Sequence, residues 1–375
     1  MNWTKGTVFP PEYSTSRDRV TGTLIHQMTS HESINHATYF LQSSFSPDGK
    51  TLLFISNRSG SWQLFAISPF PEGAIRQLTD SEPIHPFSPA FHPDGERVFF
   101  VRGSAIWWLR LDTLEEKRVV DLGGGSMGEC SFDANGEWLV AAVKKDGQSG
   151  LAVGKADGTE WTVIPFPRTV IHPQFHPLHG EWLEFAGDPA PRMHRVRRDG
   201  SGLECLYKHD NEEFVVHETF LGQTGHVVYT VWPYELRVMN WESREHRRVA
   251  AFNAWHITPN RAGTEVLCDT NNPDQGIFIV DVMTGNRRLV CLSDSSNGGS
   301  QWKTSRYALA EDFAAARSAA QSDRAVSWME VGTDTVYGPQ WTHPHPSFSP
   351  DENRVVFASD RSGTTQVYVA EIPFR

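Results

Sequence analysis

Hydrophobic positions along this chain fall in short runs. "TLLFIS", "RVFFVR" and "RVVFAS" are each rich in β-branched and aromatic residues, and each is entered through a turn built from Pro, Asp, Asn and Gly. After a second turn comes a stretch such as "QLFAI" or "QVYVAEI", with apolar residues alternating at the strand period of two. The unit recurs, starting at Phe45, Phe91, Phe132, Phe175, Phe220, Ile257 and Phe348. The first five intervals are 46, 41, 43, 45 and 37 residues, close to the length of one four-stranded propeller blade. The pattern predicts an all-β chain folded as a seven-bladed β-propeller, one domain over residues 1–375.

The last interval, 91 residues, contains "SRYALAEDFAAARSAAQSDRAVSW", which breaks the β pattern. It predicts an insertion at about 292–338, with a short helix, before the last blade. "GTLIHQMT", near the N-terminus, is expected to supply an outer strand to the last blade. Closing the ring in this way removes exposed sheet edges.

Charge and composition narrow the partners. The net charge of −11 argues against nucleic acid or an anionic membrane, both of which call for a basic surface. An acidic substrate would then need local positive charge, from a metal, arginine or histidine. Four widely separated cysteines, without CxxC, suggest free buried thiols rather than a disulfide framework. The first residues show no apolar signal core, and no apolar run approaches the length of a membrane helix. A cytoplasmic setting is expected, as a monomer or weak homo-oligomer.

The 16 histidines change the picture most. His36 to Gln42, His172, His217, His256, and Gln340 with His343 and His345 all stand just before the opening residue of a repeat. In a propeller those segments converge on the central channel. Three histidines and an amide oxygen suit a divalent metal such as Mn²⁺, and an extended H-x-H places both rings on one face. His26, His31, His194, His226 and His246 are read as surface or packing positions, and His85 as turn chemistry.

Several motifs make the chain resemble the oligogalacturonate lyases, the seven-bladed lyases of the polysaccharide lyase 22 type with TolB-like repeats. The likeness runs from "HATYFLQSSFSPDGKTLLF" to "THPHPSFSPDENRVVFASDRSG". It implies that Gln340, His343 and His345, in "QWTHPHPSF", and His256, in "WHITPN", are manganese ligands. It implies that His217, in "VHETF", is the catalytic base and that Arg192, in "PRMHRV", neutralises the substrate carboxylate. His36, Tyr39 and Gln42 match the family's H-x-x-Y-F-x-Q element and, with His172, are expected to contact substrate.

The implied reaction is β-elimination in a short uronic-acid oligosaccharide. Departures fall in substrate-facing segments: "FAGDPAP" stands where the family has "CHEGP", and the residues after His256 differ from "HLMSNYDG". The reaction type is therefore better supported than the particular uronate. Two other classes fit the repeats. A non-catalytic TolB-like interaction or carbohydrate-binding module leaves the in-phase histidines unexplained. A peptidase propeller would need an attached α/β-hydrolase domain, for which the seven repeats leave little room in this sequence.

Overall fold

A computed structural model describes residues 3–374 apart from 189, 211, 272 and 299–339. Among these residues the chain forms seven antiparallel sheets, arranged as the seven blades of a propeller. The innermost strands are Asn35–Ala37, Ala90–Phe91, Ser126–Phe132, Thr169–Phe175, Val215–Phe220, Ala254–Pro259 and Ser347–Phe348, for blades 1 to 7 in that order. The predicted helix between about 300 and 325 lies outside the described residues, which contain no helix.

The local signals act as the sequence suggested. In the "SPDG" turn, the Ser46 hydroxyl donates to Asp48 Oδ1 at 2.6 Å, and the Gly49 amide donates to the Ser46 carbonyl at 2.8 Å. Gly49 has φ of 70°, a left-handed conformation that a side chain would resist.

The second strand of each blade is apolar on both faces because each sheet is packed on both sides. Leu52–Ser56 and Val227–Val231 are buried at every position. The core is accordingly divided. One apolar cluster joins blades 5 and 6, through Leu221, Val228, Ile257 and Val266. Another joins blades 7 and 1, through Val356, Val367, Phe54 and Phe65. Equivalent clusters fill the other interfaces.

Closure goes further than predicted. Leu24–Gln27 pairs with the third strand of blade 7 in the register Ile25↔Ala370 and His26↔Val369. Ser14–Arg17 adds a fifth strand outside it. Before that, Val8–Phe9 pairs with the outer strand of blade 1, Val8 against Arg76. The N-terminal segment therefore straps blade 1 to blade 7. The four cysteines are free thiols, as the spacing suggested; Cys130, Cys268 and Cys291 are buried as expected, but Cys205 is only half-buried.

Candidate active site and metal centre

Four inner strands share one irregularity, and it aims their side chains. In blade 3, Gly128 and Glu129 stand opposite Ala142 alone. In blade 4, His172 and Pro173 face Phe185; in blade 5, His217 and Glu218 face Tyr229; in blade 6, Trp255 and His256 face Asp269. Such a two-against-one β-bulge bends the strand and redirects a side chain, here at the same level of successive blades. His172 and His217 have positive φ, 55° and 56°, rare for residues other than glycine and common at functional sites. His345, just ahead of the short inner strand of blade 7, also has positive φ, 46°.

The segment after the inner strand of blade 1 crosses the channel. Phe40 is buried, with ring centroids 5.6 Å from His172, 5.2 Å from His217, 5.4 Å from His256 and 6.1 Å from His345. Its carbonyl accepts the Thr258 hydroxyl of blade 6 at 3.1 Å. Gln42 donates to the Cys130 carbonyl of blade 3 at 2.9 Å. This phenylalanine forms an apolar floor on which histidines from four blades meet.

One nitrogen from each of His256, His343 and His345 lies within 4.8 Å of the other two, and all three residues are buried. Asp269 organises this cluster. Its carboxyl accepts the His256 ring Nδ1–H at 2.8 Å and the His256 amide at 2.6 Å, and it also accepts the backbone amide of His345. The bond to Nδ1 leaves Nε2 of His256 to face the cluster, the usual carboxylate–histidine arrangement behind a metal. Burial, then mutual repulsion, holds His256 and His345 well below the ordinary histidine range, so each presents a neutral, ligating imidazole. The donor set therefore fits a divalent cation. Gln340, the fourth ligand implied by the family resemblance, is exposed and not part of this buried group, and its carbonyl accepts the Thr365 hydroxyl.

A second chain of polar groups runs beside the first. Tyr39 Oη lies 2.7 Å from His172 Nε2, and His172 Nδ1 lies 3.3 Å from Glu218 Oε2. Because Glu218 accepts, Nδ1 carries the hydrogen, and Nε2 pairs with the Tyr39 hydroxyl. Arg192 donates from Nε to Glu218 Oε1 at 2.8 Å, from Nη2 to Glu218 Oε2 at 3.3 Å and from Nη1 to Asp188. Burial alone would push Glu218 upward, but Arg192 and His172 hold it well below the usual carboxylate range. Burial opposes the charge on Arg192, but Asp188 and Glu218 outweigh it. The guanidinium is thus committed to two protein carboxylates.

His217 sits between the two groups, its ring 4.6 Å from His256 and 6.1 Å from His172. Its Nδ1 is buried with no hydrogen-bond partner among the described residues. Burial, then the neighbouring His172, keeps it well below the ordinary range and therefore neutral.

His36 turns both ring nitrogens to main-chain carbonyls, Ala37 at 2.8 Å and His343 at 3.0 Å, and so braces the H-x-H segment. Of the histidines read as packing, His26 bonds Tyr13 at 2.8 Å and His246 bonds Tyr229 at 2.6 Å. His85 instead lines a cleft with Ser126, Glu129 and Thr169. Sequence reading missed Phe40, Glu218, Asp269 and Glu129. Glu218 was within reach as the neighbour of His217 in "VHETF". Asp269 carried no signal, because its place behind His256 depends on strand register.

A family model for oligogalacturonate lyase matches residues 3–155, which span blades 1 and 2 and the first three strands of blade 3 and include His36, Tyr39 and Gln42. The chain is similar to the oligogalacturonide lyase of Pectobacterium atrosepticum, 23% identical over 403 aligned residues and covering 98% of both chains. It is similar to the oligogalacturonate lyase of Dickeya dadantii, 23% identical over 410 aligned residues with the same coverage. Among solved structures, an oligogalacturonate lyase in complex with manganese superposes with a TM-score of 0.82 at 22% identity, over 99% of each chain. That structural likeness concerns the fold.

Proposed function

We propose that this chain, similar over nearly its whole length to oligogalacturonate lyases, is a metal-dependent lyase that cleaves short uronic-acid oligosaccharides by β-elimination. The observation that carries the reading is the buried His256–His343–His345 cluster facing the neutral His217 across 4.6 Å between ring centroids. A scaffold propeller has no use for buried imidazoles whose desolvation is costly.

Manganese, the ion in the similar solved structure, is the cofactor proposed, held by His256, His343 and His345 with Gln340 at the mouth. When bound, such a cation takes the C6 carboxylate and stabilises the charge that develops as the C5 proton leaves. His217 is the base: its Nδ1 lacks a partner among the described residues, whereas both nitrogens of His172 are committed. A neutral imidazole can accept a proton directly.

Asp269 holds His256 in the tautomer that leaves Nε2 for the metal. Arg192 acts first on Glu218 and Asp188, fixing Glu218 and through it His172 and Tyr39; its influence on the substrate carboxylate is then electrostatic. Tyr39 and His172 face the substrate, while His36 and Gln42 support it by holding the main chain around the site. Phe40 excludes water beneath the reacting carbon.

The test is to supply the purified protein with a panel of short acidic oligosaccharides, with and without Mn²⁺, and to follow the ultraviolet absorbance of a C4–C5 unsaturated uronate. Metal-dependent growth of that absorbance is expected on at least one uronide. Metal-loaded protein that releases saturated sugar, or none, on every uronide sinks the reading.

A further inference from the structure

Blade 3 interrupts the series of histidines. In the bulge where blades 4, 5 and 6 carry His172, His217 and His256, it carries Gly128 and Glu129, with Glu129 in the second position, as Glu218 and His256 are in theirs. The Glu129 side chain is buried, at 3% exposure, and neither carboxyl oxygen has a hydrogen-bond partner among the described residues. A buried carboxyl left in that state is costly, and a fold does not keep one without compensation or use.

Glu129 also lines a cleft that opens to solvent between blades 3 and 4, with His85, Ser126, Thr169 and Val170 around it and a cavity volume of about 100 Å³. The Gln42 amide, on the segment that crosses the channel, holds the adjacent Cys130 carbonyl at 2.9 Å, which ties this strand to the site floor. Around the ring, the order is the metal-binding histidines on blades 6 and 7, the proposed base on blade 5, His172 on blade 4, Glu129 and the cleft on blade 3.

We propose that Glu129 is the proton donor to the departing glycosidic oxygen, and that the cleft beside it holds the sugar ring on the leaving side. The assignment rests on the lyase reading. It supplies what a base and a cation leave out, because the leaving group is an alkoxide, too basic to depart readily without a proton.

The step balances. His217 takes the C5 proton, and the C5–H electron pair becomes the C4–C5 double bond. The C4–O bond breaks with its pair on oxygen, and that oxygen takes the Glu129 proton. Glu129, left as carboxylate, regains a proton from solvent through the cleft. Burial raises Glu129 above the ordinary carboxylate range, opposed in part by His172, which keeps the proton in place beforehand. Tyr39, the other hydroxyl-bearing candidate, is already bonded to His172 at 2.7 Å.

The experiment compares metal-loaded wild type with Glu129→Gln on two substrates: a uronide with a natural sugar leaving group, and one with 4-nitrophenolate at C4, which departs without a proton. E129Q is expected to lose roughly 10²–10⁴-fold on the sugar linkage and less than about tenfold on the aryl one. In D₂O it should still exchange the C5 proton of the sugar substrate. Glu129→Ala with added formate should recover part of the lost rate, which a purely structural role would not allow. Unfolding curves and Mn²⁺ titrations should match wild type. Equal losses on both substrates, loss of C5 exchange, or near-wild-type rates on the sugar linkage overturn the assignment. A wild type inactive on every uronide instead removes the lyase reading on which the assignment rests.

Discussion

At His217 two demands meet in one residue. Its imidazole must stay neutral and unengaged at Nδ1, and its backbone must adopt φ of 56° to point there. Asparagine tolerates that conformation better than alanine does. His217→Asn is therefore the cleaner removal of the proposed base: turnover should fall by roughly 10²–10⁴-fold while Mn²⁺ affinity, read by calorimetry, stays close to wild type. Near-native turnover would mean the base is misassigned, and His172, one blade earlier at the same bulge, would be next.

Arg192 makes a different kind of demand. Its Nε–H, Nη2 and Nη1 engage Glu218 and Asp188 in a buried cluster, so removing it strands two carboxylates away from water. Arg192→Ala should cost about 3–5 kcal/mol in denaturant unfolding, beyond any effect on rate. A loss confined to substrate binding, with stability unchanged, would instead place the guanidinium on the substrate.

The working element is the bulged inner strand with the strand that backs it. A regular strand would alternate its side chains between the two blade interfaces. The extra residue at 128–129, 172–173, 217–218 and 255–256 breaks that alternation at one level. In blade 6 the strand behind completes the device, since Asp269 stands opposite the bulge and accepts from His256 and from the His345 amide. Asp269→Asn keeps the shape but replaces the carboxyl that bonds His256 Nδ1 with an amide, which loosens the His256 tautomer. Mn²⁺ affinity should fall about 10- to 100-fold with the propeller intact by circular dichroism. Unchanged affinity would show that His256 needs no such support.

For the whole molecule the ring must be closed, because seven sheets that meet only through their faces can open at one interface. Blade 7 takes its fourth strand from Leu24–Gln27, and the same N-terminal segment reaches blade 1 through Val8–Phe9. Ile25 is fully buried in the cluster shared by blades 6 and 7. Ile25→Ala should cost about 2–5 kcal/mol. Its effect should extend to the proposed metal centre, because the blade 6–7 interface holds His256 against His343 and His345. Guanidinium unfolding followed in parallel with Mn²⁺ release checks this; metal release unchanged in midpoint would show that closure and site are independent.

Much of this was legible in the chain because it is locally encoded. Each blade announces itself by a turn and a strand run within about 25 residues. The histidines could be found because they share one phase of that repeat, which is a property of sequence order alone. Tertiary structure decided what depends on partners from other strands. Asp269 follows Cys268 in a run that reads only as a buried strand, and it gains meaning from lying opposite His256. Arg192, which the family resemblance assigned to the substrate carboxylate, is engaged by Glu218 and Asp188, partners set by the meeting of blades 4 and 5. Val8–Phe9 and Ser14–Arg17 are too short and polar to read as strands until a neighbouring edge offers them a ladder. Residue type and spacing state which groups a chain possesses; which hydrogens they share, and which of them stay available for chemistry, is settled only when distant strands are brought into register.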